Sequence, residues 1–434
     1  MAPQRTTPPE WRRSTGGLGL YPETGLSRPG PMRQGGRGAG RRVLLVAPEP
    51  FYEDRGTPIA VRSVLQALSE LGYRVDLLTY PVGQSVEMDG LRILRSANPL
   101  RIRQVPVGLS LRKILLDATL VPALWHRLRH EQYYCIHAVE EAAFPAVVLG
   151  RRRGVPVIYD MQSSLPEQMV RFRLLRGKRV QGLLHDCESW LLNRADAVVS
   201  SAGLLQKVFQ ISPGKLAREW HFPGSVAAPP TESQSGLRAD LGIATDAPVV
   251  VYAGTFEPYQ GLSTLLAAAR RVVDVAPRTV FVLVGGEGQP AEDVQREAAR
   301  LGLTGHVRFP GRKPRDEMSG YLAMADLLVS PRCYGDNLPL KVFDYLAAGR
   351  PIVATDLPAH RALLDETRAV LTEPTGPALG QAIADLLADP SRAARLASSA
   401  RAYAADNLGW KRFVTTVNAV YEDIGNRAPV PVTE

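Results

Sequence analysis

The sequence lacks most of the features that would identify a chemistry at once. It holds three cysteines, Cys135, Cys187 and Cys333, an odd number with no C-x-x-C or metal-ligand spacing. Neither a disulfide framework nor a zinc site is therefore encoded, and the thiols fit a reducing cytoplasm. No D-x-D pair is present to chelate a divalent ion, and zinc-spaced histidines, a P-loop and a G-x-S-x-G elbow are missing too. Every long apolar stretch is interrupted by charge, as in GLSLRKILLDATLVPAL, where Arg112, Lys113 and Asp117 break the run, which argues against a membrane span. The amino-terminal segment has no continuous apolar core of the kind a secretory signal carries.

Acidic charge is scarce at that end of the chain. Residues 1–42 carry eight arginines against Glu10 and Glu23, so most of the net charge of +9 belongs there. Residues 1–41 are rich in Pro and Gly without apolar periodicity and read as a disordered basic tail. Such an arm attracts anionic lipid or nucleic acid, or is a solvated extension, or lies upstream of a start at Met32; for the chain as a whole no nucleic-acid partner is expected.

At 434 residues the chain can form two domains, each with its own core. RVLLVAP at 42–48 reads as a buried parallel strand, and strands then alternate with helical patterns to about residue 221: RVDLLTY, LRILR, a strand ending at His137, GVPVIYDM and DAVVSS. Residues 222–236, FPGSVAAPPTESQSG, have no periodicity and read as a linker. The alternation restarts over 237–408 with APVVVYAG, TVFVLVGG, HVRFPG and LLVS as strands, and residues 378–408 read as helical. A last helix over 409–425 carries Trp410, Phe413, Val417 and Tyr421 as an apolar stripe, ahead of a flexible tail at 426–434. Two doubly wound, Rossmann-like domains with parallel sheets are expected. The stretch from Val107 to Arg129 interleaves leucine and isoleucine with Arg112, Lys113, Arg127 and Arg129; this basic amphipathic helix either packs on the sheet or lies on a membrane surface.

The most informative segment is 330–357, SPRCYGDNLPLKVFDYLAAGRPIVATDL. Asn337 is a good N-cap and Pro339 suits a first helical turn, so a helix should open between them with its free amides, those around Leu338, facing the preceding loop. Such a helix start seats phosphate. Asp336 lies beside it, and Asp344, eight positions on, returns to much the same face. Two acids so placed can grip different hydroxyls of one polyhydroxylated ligand; alternatively Asp344 pairs with Lys341 on the helix surface.

This segment resembles the donor-site signature of the retaining family-4 glycosyltransferases with the GT-B fold, E-x7-E followed by small residues and Gly-x-Pro, here with Asp336 and Asp344 as the acids. The resemblance implies that Asp336 contacts the donor sugar and Asp344 the nucleotide ribose. It places Gly56, in the loop after the first strand, beneath the donor diphosphate, unless this is a plain strand-to-helix turn. It sets His137 close to the donor sugar, with Glu140 and Glu141 as rival polar groups on the same sheet edge. In the loop AGTFEPYQG, members of the family commonly follow the first glycine with arginine and precede the second with lysine; here Gly254 is followed by Thr255, and Gln260 stands before Gly261. Both cations that would neutralise a diphosphate leaving group are gone, and Lys341, Arg332 and Arg312 are the candidates to replace them. A metal-independent enzyme with no cofactor is implied, taking a nucleotide-sugar donor and an unknown hydroxyl acceptor, lipid-linked or soluble. Its place would be the cytoplasm, peripheral to the membrane if the acceptor is a lipid. A GT-B nucleotide-sugar epimerase or hydrolase, or an inactive binding protein, uses the same scaffold.

Overall fold

The computed structural model describes residues 40–53, 56–99, 101–105, 110–164, 166, 177–200, 202–223, 236–335 and 339–426. Nearly all of the expected tail and linker lies outside them, as do Asp336, Asn337 and Leu338.

The amino-terminal lobe is a seven-stranded parallel sheet in the order β3-β2-β1-β4-β5-β6-β7, comprising β1 (Arg42–Ala47), β2 (Arg74–Thr79), β3 (Leu91–Arg95), β4 (Cys135–Val139), β5 (Val157–Met161), β6 (Ala197–Ser200) and β7 (Ala217–Glu219). Strands β1, β4, β5 and β6 are buried on both sides because both faces of the sheet are covered, whereas the edge strands β3 and β7 are half exposed. Val43, Leu45 and Ala47 of β1 pack toward α1 (Gly56–Glu70), whereas Leu44 and Val46 pack toward α2 (Leu111–His130), α3 (Ala143–Arg153) and α4 (Lys178–Arg194). A further helix, α5 (Ala202–Ile211), precedes β7. Local signals set the ends: Ser110 accepts from the Lys113 amide to open α2, and Gly154, at φ +67, closes α3.

The carboxy-terminal lobe repeats the plan with six parallel strands in the order β10-β9-β8-β11-β12-β13. These are β8 (Val249–Ala253), β9 (Val280–Val284), β10 (Val307–Gly311), β11 (Leu327–Ser330), β12 (Ile352–Thr355) and β13 (Val370–Thr372). Around them lie α6 (Leu262–Val275), α7 (Gly288–Arg300), α8 (Met318–Ala323), α9 (Leu340–Ala348), α10 (Gly376–Ala388) and α11 (Pro390–Asn407). The helical pattern over 378–408 is thus two helices, because Asp389 caps the Arg392 amide and Pro390 starts a new first turn.

The chain then returns to the first lobe. Helix α12 (Trp410–Asn426) buries Phe413, Val417, Val420, Tyr421 and Ile424 against the α1 side of the first sheet. Trp410 Nε1 donates to Glu70 at 2.7 Å, the Tyr134 hydroxyl donates to the Tyr421 carbonyl at 2.7 Å, and Arg218 binds Asp423. Phe413 joins Trp220, Phe222 and Trp410 in an aromatic cluster, its ring centroid 5.5–5.7 Å from each of theirs.

Candidate active site

In a sheet ordered 3-2-1-4, ligands enter where the connections diverge, which in the second lobe is the gap between β8 and β11. There the two strands pair only at Val250–Leu327 and Val251–Leu328 and then part. Tyr345 of α9 spans the opening: its hydroxyl accepts from the Ala253 amide at 2.9 Å and donates to the Val329 carbonyl at 3.3 Å. The middle of α9 is thereby tied to both strands across the opening.

The crevice walls require glycine. A Cβ on Gly261, at φ +74, would lie 1.9 Å from the Pro331 carbonyl oxygen, and one on Gly254, at φ +149, would come within 2.9 Å of Lys341 Nζ. Lys341 is thus pressed against the loop where the arginine and lysine are missing. Its ammonium donates to Gln260 Oε1 at 2.7 Å and lies 4.0 Å from the centroid of the Tyr252 ring. Burial pulls its pKa well below the ordinary lysine value, and the charge of Arg332 depresses it further. It also occupies the first turn of α9, the positive end of a helix dipole. Arg332 is itself buried, its guanidinium 5.2 Å from the Tyr259 ring centroid.

A second layer fixes Arg332. The Thr355 hydroxyl donates to the Arg332 carbonyl at 2.6 Å, and His360 bridges Ser330 Oγ at 2.8 Å and the Thr355 carbonyl at 2.7 Å. Burial lowers the His360 pKa to about 4. A neutral ring suits both bonds, with Nδ1–H donating to the carbonyl and Nε2 accepting from the serine.

Gly254, Gln260, Arg332 and Lys341 therefore come together, with Thr255 exposed on the rim, its carbonyl accepting from the Tyr252 hydroxyl at 2.6 Å. Asp344 lies further along α9 with Arg315 at 3.7 Å; Lys341, its alternative partner on the helix, is turned toward Gln260. Arg315 was not singled out by the sequence: it approaches from the loop before α8, and no local spacing links it to Asp344. The guanidinium lines a recess between the lobes with Leu340 and Phe343 on one side, Ile59, Ala60 and Ser63 of α1 on the other, and Phe222 and Pro223 between. Gly56 is the first residue of α1, one turn before Ile59, and an added Cβ there would meet nothing within 4 Å. The helix opening is also corrected: the cap is Pro339, and Leu340 is the first helical residue, because Pro339, at ψ 92, is still extended.

Two expected residues are not brought to this crevice. Arg312 follows β10, two strands from β8, where it is half exposed and pairs with Glu287. His137 is fully buried in the middle of β4, because the apolar run continues to Val139 and the strand ends two residues later than expected. Its Nδ1 meets the Tyr421 hydroxyl at 2.7 Å, its Nε2 meets Asp160 at 3.3 Å, and its ring runs roughly parallel to those of Trp220 and Tyr421, with centroids 6.4 and 6.0 Å away. It ties α12 to the first sheet and does not face the cleft.

The strand ends of the first lobe carry acids instead. Glu140, directly after β4, adopts φ +51 and accepts from the Ser163 hydroxyl at 2.8 Å; desolvation, reinforced by Glu141, pushes its pKa up to about 8. Glu141 pairs with Lys113, Glu188 with Lys207 at 3.1 Å, and Glu49 is buried after β1. Asp117, bonded to the Tyr80 hydroxyl, is raised to about 6 by desolvation.

Comparison with known proteins accounts for both lobes. Residues 55–206 match the glycosyl transferase 4-like domain and residues 233–403 the family described as glycosyl transferases group 1. A GDP-mannose-dependent alpha-(1-6)-phosphatidylinositol monomannoside mannosyltransferase of Mycolicibacterium smegmatis is 32% identical over 231 residues, which are 50% of this chain and 60% of that relative. Among solved structures, sucrose-phosphate synthase of Thermosynechococcus elongatus superposes with a TM-score of 0.74 at 20% identity, over 88% of this chain and 99% of that one. HepE of Anabaena, in complex with UDP-glucose, does so with a TM-score of 0.70 at 17% identity, over 88% and 99%. The chain thus has the GT-B fold, its two lobes matching a glycosyl transferase 4-like domain and a glycosyl transferases group 1 domain in tandem.

Proposed function

We propose that the protein transfers a sugar from a nucleotide-diphosphate donor to an acceptor hydroxyl in glycolipid, polysaccharide or other glycoconjugate biosynthesis. The observation that carries this reading is the buried pair Lys341 and Arg332 at the β8–β11 crevice. A lysine held out of water beside a buried arginine, on the positive end of a helix, has its charged form disfavoured in the empty site and favoured in a site holding a dianion. A diphosphate would satisfy the charge of Lys341 and the helix start, with Arg332 alongside. As the bond between the anomeric carbon and the diphosphate breaks, the negative charge developing on the leaving group falls beside these cations, which stabilises the transition state without a metal or other cofactor.

Asp344 then holds the ribose beside Arg315, and Asp336 the sugar hydroxyls. Retention follows if the acceptor oxygen attacks from the face that the diphosphate leaves and passes its proton to a diphosphate oxygen. The relative acting on a phosphatidylinositol monomannoside and the neighbour solved with UDP-glucose support a nucleotide-sugar donor and a polyol acceptor. They differ in the nucleotide, GDP against UDP.

A thermal-shift series with nucleoside diphosphates tests the site. A ligand at about a hundred times its dissociation constant should add roughly 2.7 kcal/mol of stability; no shift with any of them would remove the reading. Incubation with donor alone separates transfer from its relatives, because an epimerase or hydrolase consumes donor without an acceptor.

A further inference from the structure

Four of the large apolar side chains left exposed among the described residues lie on one helix: Leu111 of α2 at 80% exposure, and Ile114, Leu115 and Val121 at 40–47%. The residues by which α2 grips the sheet are Leu116, Leu120, Leu124 and Leu128. Wound at 3.6 residues per turn, Leu111, Leu115, Ala118 and Pro122 fall on the opposite side, with Ile114, Val121 and Trp125 along its flank. The helix is therefore apolar on two faces, and the fold covers one.

Charge is segregated along the same helix. Its one acid, Asp117, is bonded to Tyr80 beneath it, and Lys113 is paired with Glu141. The outward face keeps Arg112 and Arg129, the latter with its guanidinium 5.6 Å from the Trp125 ring centroid. On the same side of the sheet, α3 ends in exposed Arg151, Arg152 and Arg153.

Topology orients this face. Because β3 and β4 run parallel, α2 must return from the carboxyl edge of the sheet to the amino edge. The Lys113–Glu141 and Tyr80–Asp117 contacts hold its first two turns level with the carboxyl ends of β4 and β2. Leu111, Ile114 and Leu115 therefore flank the mouth that opens toward the other lobe.

We propose that α2 docks on an anionic lipid surface through this face, its first turns among the headgroups and the mouth of the first lobe against the membrane. A narrow, convex apolar stripe edged by arginine and bordered by tryptophan complements the boundary of an anionic bilayer. Among the described residues no helix is long and apolar enough to cross a membrane, so the contact is peripheral. That the acceptor is presented from lipid rests on the glycosyl-transfer reading; the docking itself does not.

The test is cosedimentation of the full chain with phosphatidylcholine vesicles containing about 30% phosphatidylglycerol, against phosphatidylcholine alone. Binding should favour the anionic vesicles and weaken with salt. The variant L111S/I114S/L115S should lower the partition coefficient roughly tenfold or more, while any stabilisation by nucleoside diphosphates is unchanged. Absence of binding to anionic vesicles, or equal binding by the variant, overturns the proposal. So does a wild-type dimer that the variant dissolves with no change in lipid binding, which would make the stripe a contact between two copies. A wild type that binds vesicles but no nucleotide would strike the function proposed above and leave the docking standing.

Discussion

In the first lobe the strands β1, β4 and β5 lead into Glu49, Glu140 with Glu141, and Ser163; in the second, β8, β9 and β11 lead into Gly254, Gly285 and Arg332. Both sheets switch direction at the same point in their order, between β1 and β4 and between β8 and β11, so both offer a crevice in the same place. Topology decides where a ligand can sit, and the loops decide what charge it has. Glycine turns, a helix start and two buried cations suit a diphosphate. Carboxylates interleaved with serine suit hydroxyl groups and disfavour a phosphate lodged against them. The lobes differ also in completeness: the second is closed by its own helices, whereas the first borrows α12 from the far end of the chain.

The largest effect should come from that borrowed helix. Phe413→Ala removes the centre of the aromatic cluster and should cost about 3–5 kcal/mol in urea unfolding; a loss below about 1 kcal/mol would mean that α12 is a dispensable cover. A smaller effect tests how the second lobe places its charge. Gln260→Lys returns a cation to the loop beside Lys341 and should destabilise the unliganded protein by about 2 kcal/mol. The exchange Q260K/K341Q should recover most of that loss, and failure to recover it would show that the two positions do not share one charge. The smallest effect probes the acidic rim. Glu140 holds its proton to about pH 8 in the folded state and loses it near pH 4.5 when unfolded, so its contribution to stability falls as pH rises between those values. Glu140→Gln should be nearly neutral at pH 5 and stabilising by on the order of 1 kcal/mol at pH 8 in chemical denaturation. A pH-independent difference would place the carboxyl in water.

Much of this architecture is legible in the residues, for reasons that also mark the limits. Runs such as RVLLVA and VVVYA announce parallel strands because they are apolar on both faces, and the alternation of strand and helix implies two wound lobes. Strand β7, Ala-Arg-Glu, carries no such signal, since it lies at the sheet edge with its side chains half exposed. The break at Asp389-Pro390 is written in cap chemistry that an Ala-rich helical pattern obscures. His137 shows how two residues of strand length turn an expected ligand contact into a core hydrogen bond. At the crevice, the loss of cations at Thr255 and Gln260 and the candidacy of Lys341 and Arg332 are visible in sequence, whereas choosing these two over Arg312 needs the strand order. The Asp344–Arg315 pair joins distant loops and leaves no local trace.

The central claim is that Lys341 is a buried lysine whose charge a diphosphate restores, and calorimetric titration of nucleoside diphosphates into wild type and Lys341→Met tests it most directly. Burial depresses the lysine, so the unliganded fold holds fewer protons than the unfolded chain between the depressed and ordinary values, and its stability rises with pH across that interval. A diphosphate favours the ammonium and should draw a proton in, seen as a binding heat that varies with the ionisation enthalpy of the buffer. K341M should be more stable than wild type when empty and bind about a hundredfold more weakly, a difference of roughly 2.7 kcal/mol. Equal affinity in the two proteins, or a less stable empty K341M, would contradict the account.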